Sequence, residues 1–163
     1  MHSEKAFFID KWEREFATTL KVLRAYPSDK LDLKPAEKSK SARDLLFVFV
    51  GEQHFFSMVL DGKLDFTTPP PRVPATLDEI IAMTERGNAD IVAKLKALPE
   101  SSFEESVTFL VGPKTPAQVR KMDICWMMLF DSIHHRGQIS VYIRLAGGKV
   151  PSIYGPTADE PWM

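Results

Sequence analysis

The stretch His134-His135-Arg136-Gly137-Gln138 lies inside a long apolar segment, residues 117–146, whose pattern is that of a helix. Apolar residues and a few polar ones recur there at spacings of three and four, which places them on one helical face. The members of this face are Ile124, Met127, Met128, Asp131, His135, Gln138, Tyr142 and Leu145. We expect the face to point into the protein, where Asp131 and His135, four residues apart, become neighbours.

A carboxylate beside an imidazole on a buried face needs a partner. The pair either forms a hydrogen-bonded core contact or contributes ligands to a metal. His134 points about 100° away from His135 around the helix, so we assign it to packing or an interface. Gly137 costs about 1 kcal/mol in a helix relative to alanine, which suggests that another backbone approaches there.

Three further helical segments precede this one, and their apolar stripes predict an all-α fold. Ser41 is a candidate N-cap, and Thr76 with Glu79 has the spacing of a capping box. Residues 106–111 have strand-like composition without an obvious partner, and we interpret them as an extended strap. The predicted architecture is a four-helix bundle forming a single domain over residues 1–163. Its helices cover about 4–25, 41–61, 76–98 and 116–146, followed by a coil tail over 148–163.

The second helix is apolar around most of its circumference, so we expect it to be buried on two sides. A bundle interior and a subunit interface, the latter including Phe47 and Met58, would satisfy that pattern.

Composition excludes several functional classes. The chain has 163 residues and a net charge of −1, and it lacks the basic helix face of a nucleic-acid-binding protein. Its longest apolar run, Leu45 to Val50, is too short to span a membrane, and the first eight residues do not resemble a signal peptide. Cys125 is the single cysteine, which favours a cytoplasmic location and the role of a small apolar filler rather than a nucleophile.

Polar residues interrupt the apolar stripes of three helices. Glu52 and His54 lie on the second helix, Thr84 and Asn88 on the third, and Asp131, His135 and Gln138 on the fourth. Zinc, nickel or iron(II) accepts imidazole and carboxylate ligands together. From the residues alone, the alternative to metal coordination is that Glu52 forms an ion pair with Arg136 or Arg144.

The sequence resembles the DinB-like (damage-inducible, YfiT-type) bundle proteins over nearly its whole length. The resemblance rests on the stretch at 134–138, on Ile139 to Arg144, on Gly147-Gly148-Lys149-Val150-Pro151, on Ser41 to Leu45 and on Leu64-Asp65-Phe66. It implies a four-helix bundle with a long crossover connection, commonly a homodimer.

The resemblance also implies a divalent metal held by three histidines. His135 matches one of them, Asp131 falls on the second, and Val48, which cannot coordinate, falls on the third. Three arrangements therefore stay open. They are a site of Glu52, Asp131 and His135, a site that recruits His54, and a bundle that has lost its metal.

Relatives of this family use low-molecular-weight thiols, which implies a bacillithiol- or mycothiol-type S-transferase or a hydrolase in stress response or detoxification. Arg136 is then a candidate for orienting an anionic thiol, with a surface salt bridge as its other role. The alternative is a non-catalytic dimeric bundle with a degenerate metal site that binds a small molecule.

Overall fold

A computed structural model describes residues 3–65 and 67–163. Phe66, the last residue of the Leu64-Asp65-Phe66 match, lies outside the described residues. The described residues form four α-helices and a β-hairpin. They are α1 (Glu4–Arg24), α2 (Ala42–Leu60), α3 (Leu77–Ala97), β1 (Ser106–Gly112), β2 (Thr115–Arg120) and α4 (Lys121–Leu145).

The starts of α2 and α3 confirm the capping predictions. The Ser41 hydroxyl accepts a hydrogen bond from the Asp44 backbone N–H at 3.1 Å. Thr76 and Glu79 form a reciprocal capping box, in which each side chain accepts from the other residue's backbone N–H. These caps satisfy donors that the first turn of a helix leaves free.

Helix α1 packs against α3 and α4, and α2 packs against the same two helices. Consecutive helices α1 and α2 therefore face each other diagonally across the bundle. The 17-residue link 25–41 between them is long enough for this crossing.

The core consists of two hydrophobic clusters separated by a polar layer. One cluster contains Leu46, Ile80 and Ile143, and the other contains Phe8, Phe56 and Ile91. Every helix places polar side chains at the level between them. We call this set the polar layer: Glu15 and Thr19 on α1, Glu52 and Gln53 on α2, Thr84 and Asn88 on α3, and Asp131, His135 and Arg136 on α4.

The prediction of an unpartnered strap is wrong, because β1 pairs with β2 in an antiparallel hairpin. Val107 lies opposite Val119, and Phe109 lies opposite Ala117. Lys114 at the turn has a positive φ of 56°. The all-α prediction is therefore incomplete, and α4 begins at Lys121 rather than near 116 because 115–120 belong to the hairpin.

The predicted interior face of α4 is rotated from the observed one. Met127 is 42% and Leu145 is 56% exposed, whereas Cys125, Arg136 and Ile139 are buried. Asp131 and His135 consequently lie at the margin of the buried face, where the core meets solvent.

The second buried side of α2 faces α3 of the same chain. Phe47 is buried in the core and Met58 is partly buried, so a subunit interface is not needed to cover this helix. Although α2 is the most apolar helix, none of the helices within 3–65 and 67–163 combines the length and hydropathy required to cross a membrane.

Candidate metal site

Glu52 from α2 meets Asp131 and His135 from α4 at the edge of the polar layer. The His135 Nδ1 atom lies 2.7 Å from Glu52 Oε1 and 3.6 Å from Asp131 Oδ1. One ligand atom from each residue lies within 4.8 Å of the other two. The i,i+4 spacing on α4 and the packing of α2 against α4 bring the three together.

The arrangement of these atoms fits a metal. Glu52 Oε1 and His135 Nδ1 are both buried, and among the described residues neither completes a hydrogen bond of ordinary geometry despite their separation of 2.7 Å. These two atoms and an Asp131 oxygen lie close enough together for one metal ion to contact all three. Two carboxylates and an imidazole are also a donor set that zinc and related cations accept.

Burial perturbs the proton affinity of the cluster. Loss of hydration raises the pKa of Glu52 to about 7, although His135 opposes this change. The Glu52 carboxylate raises the pKa of His135 above its ordinary value, against the effect of burial. The Asp131 side chain, the third member of the cluster, is 46% exposed.

Two cavities adjoin the cluster, one at Glu52 and one at His135. Glu52 lines a slot of about 10 Å³ together with the apolar side chains of Trp12, Phe49 and Met128. His135 lines an open cleft of about 470 Å³ together with Lys38, Lys40 and Tyr142. A molecule from solvent therefore has access to the cluster from the side of His135.

The structure does not bring His54 to the cluster. His54 lines a different cavity, between α2 and α3, so the grouping described is that of Glu52, Asp131 and His135. His134 is exposed and contacts Gln138 at 2.9 Å. Val48, the position of the missing histidine, lies one helical turn before Glu52, whose longer side chain reaches the cluster.

Arg136 lies away from the cluster, in a buried network. It is 1% exposed, and its guanidinium lies 2.6 Å from the Glu15 carboxylate and donates to the Tyr154 hydroxyl at 2.5 Å. The predicted salt bridge of Arg136 therefore exists, but it is buried rather than at the surface. Arg144 pairs with Asp159, so neither arginine pairs with Glu52.

Other polar positions from the sequence have separate roles. Thr84 donates to the Ile80 carbonyl, and Asn88 accepts from the Trp12 indole N–H at 2.8 Å. Gln138 is exposed. Sequence reasoning missed Glu15 and Thr19, although their i,i+4 spacing in the middle of an amphipathic helix was a usable signal.

Cys125 is fully buried, and burial raises the pKa of its thiol to about 12. A thiol in that state supplies almost no thiolate at neutral pH, as expected of an apolar filler.

The chain is similar to known proteins over almost its whole length. The model of the DinB family matches residues 1–162. The uncharacterized protein YrdA of Bacillus subtilis (strain 168) is 26% identical over 156 residues, which cover 94% of this chain and 89% of YrdA.

Two solved structures share the fold. A DinB-like protein of Bacillus subtilis, YjoA, superimposes with a TM-score of 0.73 at 20% identity, covering 90% of this chain and 96% of YjoA. A DinB-like protein of Bacillus cereus ATCC 10987 gives a TM-score of 0.77 at 21% identity, covering 90% of this chain and 95% of that protein.

Proposed function

Because the chain belongs to the DinB family, we propose that it is a metal-dependent enzyme that uses a low-molecular-weight thiol. The reaction class is S-transfer or hydrolysis, in cytoplasmic stress response or detoxification. The observation that carries the proposal is the convergence of Glu52, Asp131 and His135 beside an open cleft.

In this proposal the three side chains hold zinc, nickel or iron(II). When bound, the metal lowers the pKa of a thiol or water and so makes a nucleophile available. The cleft admits the thiol, and the slot beside Glu52, with a volume of only about 10 Å³, limits water on that side. Lys38 and Lys40 line the cleft, and in this proposal they attract an anionic thiol. Arg136 does not have this role, because it is paired with Glu15.

Metal content tests the site directly. Tag-free protein measured by elemental mass spectrometry is expected to hold about one metal per chain, since three protein ligands suffice for a stable site. His135→Ala and Glu52→Gln should each lose most of it. His134→Ala is the matched control and should retain it, because His134 is exposed and lies against Gln138 and the edge of the His135 ring without joining the cluster. Metal-free wild-type protein after incubation with zinc, nickel and iron would favour the non-catalytic, ligand-binding alternative.

Thiol use requires its own measurement. Cobalt-substituted protein titrated with 2-mercaptoethanol should develop a thiolate-to-cobalt absorption band in the near ultraviolet. Metal binding without this band would support the proposed metal site but refute thiol chemistry there.

We further propose that the protein is a homodimer assembled through the exposed side of α4. Met127, Phe130, Val141 and Leu145 are between 42% and 61% exposed, and their spacing places them on one stripe. Gly137 lies in the same stripe, and no described atom approaches the position of an added Cβ within 4 Å. The backbone approach expected at Gly137 is therefore not made by residues 3–65 or 67–163, and a second copy of α4 is a suitable partner.

A further inference from the structure

The link between α1 and α2 ends in a loop whose two ends are held together. The Ala42 backbone N–H donates to the Leu33 carbonyl at 2.8 Å. The Arg43 backbone N–H donates to the Leu31 carbonyl at the same distance, and both leucines pack against the core. Residues 34–41 therefore leave and rejoin the bundle at nearly the same point, as in an Ω-loop. We call these eight residues the cleft loop.

The cleft loop forms few hydrogen bonds with the bundle. Residues 34–38 and Lys40 are exposed, and the N-cap bond of Ser41 ties only the last residue of the loop to α2. Before Ser41, the described residues supply one side-chain bond to the loop, in which the Tyr142 hydroxyl donates to the Lys40 carbonyl at 3.0 Å. A single hydrogen bond thus connects this part of the loop to α4.

The cleft loop also forms one wall of the cleft beside the metal cluster. Lys38, Ser39 and Lys40 line the cleft from the loop. His135 and Tyr142 line it from α4, seven residues apart and therefore separated by about 10 Å along the helix axis. The bond between Tyr142 and Lys40 lies at the end of the cleft away from the cluster, where it keeps the loop close to α4.

The positive charge on this wall is unpaired. Among the described residues, the ammonium groups of Lys38 and Lys40 form no hydrogen bond or ion pair, and no described carboxylate lines the cleft. An anion between the loop and α4 therefore meets two cations that have no other partner in the described chain. Their distance from the anion depends on how close the loop stays to α4.

From this arrangement we propose that the cleft loop is a lid and that Tyr142 is the positioning residue that latches it. The latched lid holds Lys38 and Lys40 across the cleft from α4, so an anionic molecule binds better than a neutral one of the same size. Release of the latch lets the loop move about its paired ends at Leu33 and Ala42 and widens the cleft. The anion preference rests on the proposed function, because it treats the cleft as the entrance to a metal.

Limited trypsin digestion of metal-free protein measures the latch without metal or thiol. Trypsin cleaves after lysine, and when the loop closes faster than it is cut, the cleavage rate follows the population of the open loop. Tyr142→Phe removes one hydrogen bond, so cleavage after Lys38 should become about fivefold faster. Cleavage after Lys63, beyond the C-terminal end of α2, is the reference in the same digest and should not change.

Tyr26→Phe is the matched control. The Tyr26 hydroxyl donates to the Lys30 carbonyl at 2.7 Å, so this variant loses a bond of the same kind in the same link but outside the cleft loop. Relative to the Lys63 reference, it should leave cleavage after Lys38 at the wild-type rate. The proposal would be overturned by an unchanged rate after Lys38 in Tyr142→Phe, or by an equal rise after Lys63, which indicates general destabilisation.

Binding selectivity tests the effect of the lid on the cleft. Cobalt-substituted protein is titrated with 2-mercaptoethanesulfonate and with 2-mercaptoethanesulfonamide, which have nearly the same size and differ in charge. The wild type should bind the sulfonate about fivefold more tightly. Tyr142→Phe and Lys40→Gln should each lose most of this preference, whereas Lys63→Gln should keep it. A general loss of stability weakens both ligands and leaves their ratio unchanged.

The two experiments separate failure of the lid from failure of the proposed function. An equal preference for the sulfonate in the wild type and Tyr142→Phe would overturn the role of the latch. Protein that binds no cobalt would contradict the proposed function, and the trypsin digestion of metal-free protein would still decide whether Tyr142 holds the cleft loop.

Discussion

Glu52 shows how position in the bundle changes the chemistry of a single residue. Only 13% of its side chain is exposed, and the resulting loss of hydration outweighs the attraction of His135, so its pKa rises to about 7. A solvent-exposed glutamate would be fully ionised at that pH. The polar layer therefore creates a group that holds or releases a proton near neutrality.

The raised pKa values predict a pH-dependent stability for the metal-stripped protein. Between pH 4.5, the ordinary value for Glu52, and about 7, its folded-state value, the folded protein binds more protons than the unfolded chain. The raised pKa of His135 acts with the same sign above pH 6.5. The free energy of unfolding should therefore fall as pH rises from 5 to 8, by about 1.4 kcal/mol per unit of pKa difference.

Urea unfolding at several pH values measures this slope. Glu52→Gln should be less sensitive to pH over the same range, because glutamine does not titrate. A wild-type stability that rises with pH would show that Glu52 is ionised in the fold at low pH, contrary to its burial.

At the scale of elements, α4 has three different sides. One packs in the core through Cys125 and Ile139, one carries Asp131 and His135, and one exposes Phe130 and Val141. A helix of 25 residues can serve these purposes because its side chains point in all directions around the axis. Its weak amphipathicity made its orientation hard to predict.

The exposed side of α4 predicts the effect of an added charge on assembly. Phe130→Glu should raise the dissociation constant of the dimer at least about tenfold, since aromatic anchors contribute much of the energy of an interface. Sedimentation velocity at several protein concentrations would show a dimer for the wild type and a monomer for the variant. Leu110→Glu introduces the same charge at a 41% exposed position of the hairpin and should remain dimeric. A monomeric wild type, or a dimeric Phe130→Glu, would contradict the proposed interface.

At the scale of the whole molecule, Arg136 connects three separate parts of the chain. It contacts Glu15 and Thr19 of α1 and Tyr154 of the C-terminal tail. Tyr154 also donates to the Glu15 carboxylate at 2.7 Å. The tail is therefore attached to the bundle through a buried, fully partnered cation.

Loss of this cation should destabilise the whole fold. Arg136→Met leaves the Glu15 carboxylate without its buried partner, and we expect a decrease in unfolding free energy of about 3–5 kcal/mol. Arg144→Met removes the ion pair with Asp159, and because Arg144 is 48% exposed, the decrease should be less than about 1 kcal/mol. Chemical denaturation of the wild type and both variants measures these unfolding free energies. Similar decreases for Arg136→Met and Arg144→Met would show that the Arg136 network is no stronger than a surface ion pair.

Much of the site followed from local sequence. Asp131 and His135 share a helix, so their spacing alone placed them together. Glu52 could be named as a candidate from its position in an apolar stripe, but His54 remained an equal alternative. The sequence pattern of a helix does not show which other helix packs against each of its faces. In the structure, α2 directs Glu52 toward α4 and His54 toward α3.

The sequence by itself determined the four helices, the N-caps of α2 and α3 and the Asp131–His135 pair, because helical periodicity and capping depend on residues a few positions apart. Only the tertiary structure decided the pairing of β1 with β2, the proximity of Glu52 rather than His54 to Asp131 and His135, the burial of Arg136 against Glu15 and the rotation of α4. Each of these depends on contacts between residues distant in the chain, whose energies are set by which elements pack together rather than by any local pattern.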